Sequence, residues 1–352
     1  MSTPVRPIPV SRSLTRLDDL VAAGMVEPDD VPALRPVAER YAVAISPAMA
    51  KLVGEARENI ARQFVPDARE AHTLPEERAD PIGDHPHSPV KGLVHRYPDR
   101  VLVKLTHSCP VYCRFCFRRE MVGPDGDGTL GEAELDAAFA YIAADPAIFE
   151  VIFTGGDPLI LPPRRIRALG DRLRAIPHVR LVRWHTRVPV VLPERVTDDL
   201  ASALRFVDKA NYIAVHANHA DEFTPEAKRA LHRLADQGIV LLGQTVLLKG
   251  INADSTTLAH LFQTMAANRI VPLYLHHPDL APGTAHFRLS IAEGMAIHRA
   301  LRGRISGHAI PAYVLDIPGG YGKVELQEGN LRDGPAGIEL RDISGTWHAY
   351  PG

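Results

Sequence analysis

The chain has 352 residues, with 40 Lys and Arg against 42 Asp and Glu and a formal charge of −2, long enough for two average domains or one large α/β unit. Acidic and basic residues are interspersed, so nothing points to nucleic acid or an anionic membrane, and a small-molecule substrate is expected. No apolar run reaches the length of a bilayer span, and residues 1–21 lack the apolar core of a signal peptide, which implies a cytoplasmic protein.

Residues 1–95 read as a helical N-terminal extension, with one helix over Pro32–Tyr41 and another over Pro47–Phe64, followed by a proline-stiffened connector, DPIGDHPHSPVKG. From Tyr97 onward short β-branched runs alternate with helical patterns. Strands are expected at Val101–Leu105, Glu150–Thr154, Arg180–His185, Tyr212–His216, Ile239–Leu247 and Val271–His276. Thr129 and Glu132 form a capping-box pattern ahead of Leu135, Ala138, Phe139 and Ile142, which share a helical face. Thr224-Pro225 opens a later helix and Gly238 closes it. Six β-α repeats imply a parallel sheet curling toward a barrel in the α/β class. Without a glycine-rich fingerprint after the first strand, a dinucleotide-binding fold is disfavoured. The domain reading is 1–95 extension and linker, 96–305 partial barrel, 306–352 C-terminal segment.

The three cysteines sit in one run, Cys109-x3-Cys113-x2-Cys116, directly after the first predicted strand. An odd, isolated set suits metal ligation better than disulfides. Three thiolates on a [4Fe-4S] cluster leave one iron open for chemistry; a three-cysteine zinc site completed by His107 is the alternative. After the second strand comes Thr154-Gly155-Gly156-Asp157-Pro158, a turn whose glycines let backbone approach a ligand and whose carbonyls and carboxylate can accept from an ammonium. Near the C-terminus, Asp316-Ile-Pro-Gly319-Gly320-Tyr321-Gly322-Lys323 places a lysine beside a glycine-rich turn. Such an amine can form a Schiff base with pyridoxal phosphate (PLP), and Val324 rules out a G-x4-G-K-[ST] phosphate loop.

The cysteine spacing resembles that of the radical S-adenosylmethionine (SAM) superfamily. Together with Arg62-Gln-Phe, the SPVKGLVHRYPDR run from Ser88 to Arg100, the Gly-Gly-Asp turn and the glycine-lysine loop, it resembles the lysine 2,3-aminomutase family over roughly three quarters of the chain. The resemblance implies a radical SAM partial (β/α)6 TIM-like barrel that converts L-lysine to β-lysine through a 5'-deoxyadenosyl radical. It further implies a [4Fe-4S] cluster, SAM and PLP as cofactors, a flavodoxin or ferredoxin-type electron donor, and a homo-oligomer.

Residue by residue, the resemblance implies the cluster on Cys109, Cys113 and Cys116 and PLP on Lys323, with Arg96 and Arg100 toward PLP. It implies Gly155, Gly156, Asp157, His216 and Gln244 toward SAM. Arg118 matches the arginine that binds the substrate carboxylate, and Asp279 and Asp316 match the two acids that hold the distal ammonium. A glutamate-specific relative would need neutral or positive groups there. The chain departs from the family at Asp254, where longer members have a zinc-binding cysteine, at Tyr321, which interrupts a glycine run, and at Phe117, where a smaller residue is usual.

Other readings are an aminomutase serving elongation factor P, one acting on another basic amino acid, a zinc-dependent barrel hydrolase using His216, His219, His276 and His277, and a non-catalytic iron-sulfur carrier. The glycine-lysine loop has no role in the hydrolase, and the lack of a second cysteine set argues against the carrier.

Overall fold

The computed structural model describes residues 12–55, 57–122, 128–335 and 337–351; the first part of the segment judged for a signal peptide lies outside them. Four helices come first: α1 (Leu17–Ala22), α2 (Val31–Arg40), α3 (Pro47–Gly54) and α4 (Glu58–Phe64). The single helix expected over Pro47–Phe64 is therefore two. Ser46 starts α3 by accepting from the Met49 N–H, and the chain stops at Gly54, the poorest helix former after proline.

One nine-stranded sheet, in sequential order, forms the body. Its strands are β1 (Leu93–Tyr97), β2 (Arg100–Thr106), β3 (Glu150–Gly155), β4 (Leu181–Thr186), β5 (Ala210–His216), β6 (Val240–Val246), β7 (Ile270–His276), β8 (Ala312–Ile317) and β9 (Gly322–Glu325). From β2 to β8 every pairing is parallel, and β1 and β9 close the two edges antiparallel. The six expected strands are all present, so the barrel reading holds. Strand β8 adds a seventh parallel strand, and the segment bearing Lys323 continues the same sheet. A separate three-stranded antiparallel sheet, β10 (Leu331–Gly334), β11 (Gly337–Arg341) and β12 (Trp347–Tyr350), ends the chain.

Crossover helices α5 (Glu132–Ala144), α6 (Pro163–Arg174), α7 (Val188–Val191), α8 (Asp198–Ala203), α9 (Pro225–Asp236), α10 (Ser255–Ala267) and α11 (Ile291–Arg299) pack outside. Strand alternation makes this possible. On β2, Val101, Val103 and Leu105 join the apolar core, whereas Arg100 and Leu102 line the interior. On β4 Val182 and Trp184 are core, while Arg183 and His185 face inward. The outward rows hold the fold, and the inward rows are free to be polar.

Helix α9 starts at Thr224, which accepts from the Ala227 N–H (3.2 Å), and ends before Gly238, whose φ is +77°. The capping box expected at Thr129 and Glu132 does not form, and α5 starts from Gly131 with only the return half of such a box. Glu134 accepts from the Gly131 N–H (2.7 Å), and Thr129 instead meets the Thr106 hydroxyl (3.1 Å). Leu135, Ala138, Phe139 and Ile142 form the buried face as expected.

Candidate active site

The inward-facing side chains enclose a cavity of about 520 Å³, lined by Cys109, Cys113, Cys116, Arg118, His216, Gln244, Asp279, Asp316 and Lys323 among others. Residues from all nine strands of the main sheet line it, and the loops that follow β2, β3, β4, β5 and β7 add Cys109, Asp157, Arg187, Asn218 and Asp279 at the strand ends where barrel enzymes gather their catalytic groups.

None of the three thiols is in a disulfide. Burial and mutual proximity push the Cys109 and Cys116 thiols up, Cys116 to about 11, and burial raises Cys113. Crowded, desolvated thiols of this kind are stabilised as thiolates only by a cationic partner. The donor set thus fits an iron-sulfur cluster. Arg187 supplies one fixed charge, donating from Nη1 to Cys113 Sγ (2.9 Å), and is held by Glu222 (2.6 Å) and Gln63 (2.9 Å). Arg187 escaped the sequence reading because only the fold brings it from the end of β4 to the cysteine loop.

The zinc readings find no support in this geometry. His107 does not reach the cavity lining, and His277 is spent on the Tyr313 hydroxyl (2.7 Å) and His219 on Asn59. Among the described residues no group of three His, Cys, Asp or Glu side chains, the cysteines included, is placed to hold a single metal ion, whereas a [4Fe-4S] cluster takes each thiolate on a different iron.

The Gly-Gly-Asp turn is packed against the cysteine loop. A Cβ at Gly155 would lie 2.3 Å from the Thr106 carbonyl, and one at Gly156 2.3 Å from the Ser108 carbonyl. The glycines therefore let this turn pack on the backbone leading into Cys109. Asp157 is also occupied: its carboxylate accepts from the Thr186 hydroxyl (2.7 Å) and from the N–H groups of Arg187 (2.7 Å), Leu159 (3.1 Å) and Val188 (3.2 Å). Four donors fill its lone pairs, so Asp157 builds the site rather than presenting a free carboxylate to an ammonium.

Of the adjacent arginines, only Arg118 faces the cavity. Arg114 and Arg119 are fully buried and pair with Glu70, Arg114 at 2.6 Å. Arg118 lies against the Phe117 ring (4.4 Å) and has a buried Nε with no hydrogen-bond partner. His216 and Gln244 are register partners on β5 and β6. Burial drives the His216 imidazole down to about 3, so it is neutral, and its Nε2 has no partner.

At the other wall, Lys323 on β9 pairs with Asp316 on β8, and its Nζ lies 3.4 Å from His276 Nδ1 and 5.5 Å from the Tyr274 ring centre. Tyr97 accepts the Lys323 N–H (2.8 Å). Burial and Lys323 keep His276 neutral. Asp279 has no ion pair or hydrogen bond to its carboxylate among the described residues, and burial together with Asp316 raises its pKa. Arg96 donates to the Ile82 carbonyl (2.8 Å) and Asp84 (3.1 Å), and has an unpartnered buried Nε. Arg100 covers the Tyr97 ring (3.8 Å) at the cavity margin. A lysine, Arg96 with its unspent buried Nε, Arg100 at the margin and a surrounding cavity fit a phosphorylated aldehyde such as PLP.

The sequence departures are packed without disturbing these groups. Asp254 caps α10 by accepting from the Thr256 (2.9 Å) and Thr257 (2.8 Å) N–H groups. Tyr321 stacks on His348 of β12 (3.7 Å between ring centres).

Comparison with known proteins agrees with this geometry. Residues 103–261 match the radical SAM superfamily model, and residues 298–352 match the lysine-2,3-aminomutase model. The L-lysine 2,3-aminomutase of Fusobacterium nucleatum is 39% identical over 83% of this chain and 68% of its own length. That of Bacillus subtilis is 35% identical over 97% of this chain and 73% of its own. A glutamate 2,3-aminomutase from Clostridioides difficile is 38% identical over 71% of this chain and 59% of its own. A solved radical SAM methyltransferase from Sphaerobacter thermophilus aligns over 63% of this chain and 67% of that one, at 20% identity and a TM-score of 0.43. Radical SAM enzymes use a [4Fe-4S] cluster and SAM, and lysine 2,3-aminomutases use PLP as well. The chain belongs to the lysine 2,3-aminomutase family of radical SAM enzymes and is an isomerase.

Proposed function

We propose that the protein is a 2,3-aminomutase acting on L-lysine to give β-lysine. When bound, the cluster and SAM supply the one-electron chemistry that opens a C–H bond, and PLP supplies the conjugated system that lets nitrogen migrate. The chain's own share is to hold and orient. Cys109, Cys113 and Cys116 hold the cluster; His216, Gln244 and the carbonyls of the Gly155–Gly156 turn are assigned to SAM. Lys323 anchors PLP, with Arg96 and Arg100 toward its phosphate. Arg118 receives the substrate carboxylate, and Asp279 and Asp316 receive the distal ammonium.

The observation that carries the substrate assignment is the Asp279–Asp316 pair. A desolvated carboxylate beside another, with no direct ion pair of its own, is stabilised by an incoming ammonium and repels an incoming carboxylate. Glutamate is therefore disfavoured, although a relative acts on it. Anchoring both ends keeps the reacting carbons in register and leaves little room for water.

Among the described residues no helix is long and apolar enough to cross a membrane, and cytoplasmic residence, a flavodoxin or ferredoxin-type donor and homo-oligomerisation complete the reading. Anaerobically reconstituted enzyme offered L-lysine and L-glutamate in competition should consume lysine. Preference for glutamate would overturn the substrate assignment.

A further inference from the structure

Asp84, in the connector before β1, is 1% exposed and was not singled out by its sequence context. Its Oδ1 accepts from Arg96 Nη2 (3.1 Å). Its Oδ2 faces Arg118 Nη2 at 3.6 Å and Lys104 Nζ at 3.8 Å and takes no hydrogen bond. Those two distances lie within ion-pair range but beyond hydrogen-bond reach. Asp84 thus attracts Arg118 without using up its N–H groups. The Arg118 donors are correspondingly unspent: Nε is buried and unpartnered, and Nη1 reaches the Thr154 hydroxyl only at 3.4 Å.

The connector is fixed in turn. The Asp84 N–H donates to Asp80 (2.8 Å), and the Ser88 hydroxyl donates to the Asp84 carbonyl (2.9 Å). Gly83 packs so tightly that a Cβ would lie 2.3 Å from the Gly320 nitrogen, and the His87 ring meets the Gly320 carbonyl at 2.9 Å. One short segment therefore touches the loop that carries Lys323 and the cations on the facing wall.

We propose that Asp84 is a positioning and specificity residue for the α-carboxylate of the amino acid substrate. It turns Arg118 into the cavity and fixes it relative to Lys323. Asp84 holds Arg118 at ion-pair distance without taking a hydrogen bond from it, so the subsite gains from a substrate anion and gains nothing from a neutral group of the same shape. The inference rests on the proposed carboxylate role of Arg118.

The test is equilibrium binding of L-lysine and L-lysinamide, which differ only at the carboxylate, to PLP-loaded wild type, Asp84→Asn and Asp84→Glu. Wild type should prefer lysine. Compared at equal PLP occupancy, Asp84→Asn should lose about tenfold or more in lysine affinity while lysinamide changes less than about threefold, and Asp84→Glu should recover part of the loss. Unchanged or tighter lysine binding by Asp84→Asn, or equal weakening of both ligands, would overturn the proposal. A wild type that does not distinguish the two ligands would overturn it along with the carboxylate role of Arg118, which separates the two failures.

Discussion

Asp316 and Lys323 are direct partners across the antiparallel β8–β9 ladder, and their side chains meet as an ion pair inside the cavity. The hairpin sets this meeting, because residues opposite each other on one face of a ladder have adjacent Cβ atoms. The glycines between them carry φ values of +98° at Gly319, +90° at Gly320 and +91° at Gly322, a region that side chains resist.

Lys323 is therefore expected to be the residue that anchors PLP. Borohydride reduction of the PLP-loaded protein followed by peptide mapping should place the adduct on Lys323, and Lys323→Ala should yield no adduct. An adduct on another lysine would show the loop to be misassigned.

Asp279 should give lysine binding a pH dependence. Burial and Asp316 raise its pKa and Asp84 adds to the rise, while Lys323 and Arg118 oppose it, and Tyr350 also faces the group. The folded, ligand-free protein then keeps a proton that the unfolded chain releases. Stability from this group falls as pH rises from the ordinary carboxylate range toward the raised folded value. Lysine affinity should rise over the same interval, since the ammonium needs the ionised form. Asp279→Asn should flatten both trends and weaken lysine by about 1.5 to 3 kcal/mol, read by calorimetry across that interval.

The Glu70–Arg114–Arg119 group should behave as a structural unit. All three side chains are fully buried, so Glu70→Ala would strand two guanidinium ions. A loss of about 3 to 5 kcal/mol in denaturant unfolding is expected. A loss below about 1 kcal/mol would show that water reaches these groups.

Cys113→Ala should abolish SAM cleavage to 5'-deoxyadenosine and lower bound iron while leaving PLP loading intact. The thiol and the lysine stand on separate elements, the loop after β2 and strand β9. Retained cleavage with full iron content would contradict the cluster assignment.

The parallel strands were legible because their outward rows, such as Val101, Val103 and Leu105, are β-branched or aliphatic in alternation. The C-terminal strands were not, since Gly319, Gly320 and Gly322 read as a loop although they fold into a hairpin on the main sheet. Site residues beside a local motif, the cysteines and Lys323, could be read from spacing. Arg187, Asp84 and Lys104 could not, because each joins the site only through contacts between distant segments: Arg187 to Cys113, and Asp84 to Lys104 and Arg118. Asp157 and the two glycines form a local motif whose packing partners could not be read from it. They hold the turn after β3 against the cysteine loop.

The most direct test of the lysine 2,3-aminomutase account is anaerobic turnover of L-lysine deuterated at C3, with the product isolated and its label located. The account predicts β-lysine with nitrogen on C3, and deuterium recovered at C2 and in 5'-deoxyadenosine. Unchanged lysine under conditions where SAM is cleaved, or a product whose nitrogen remains on C2, would contradict it.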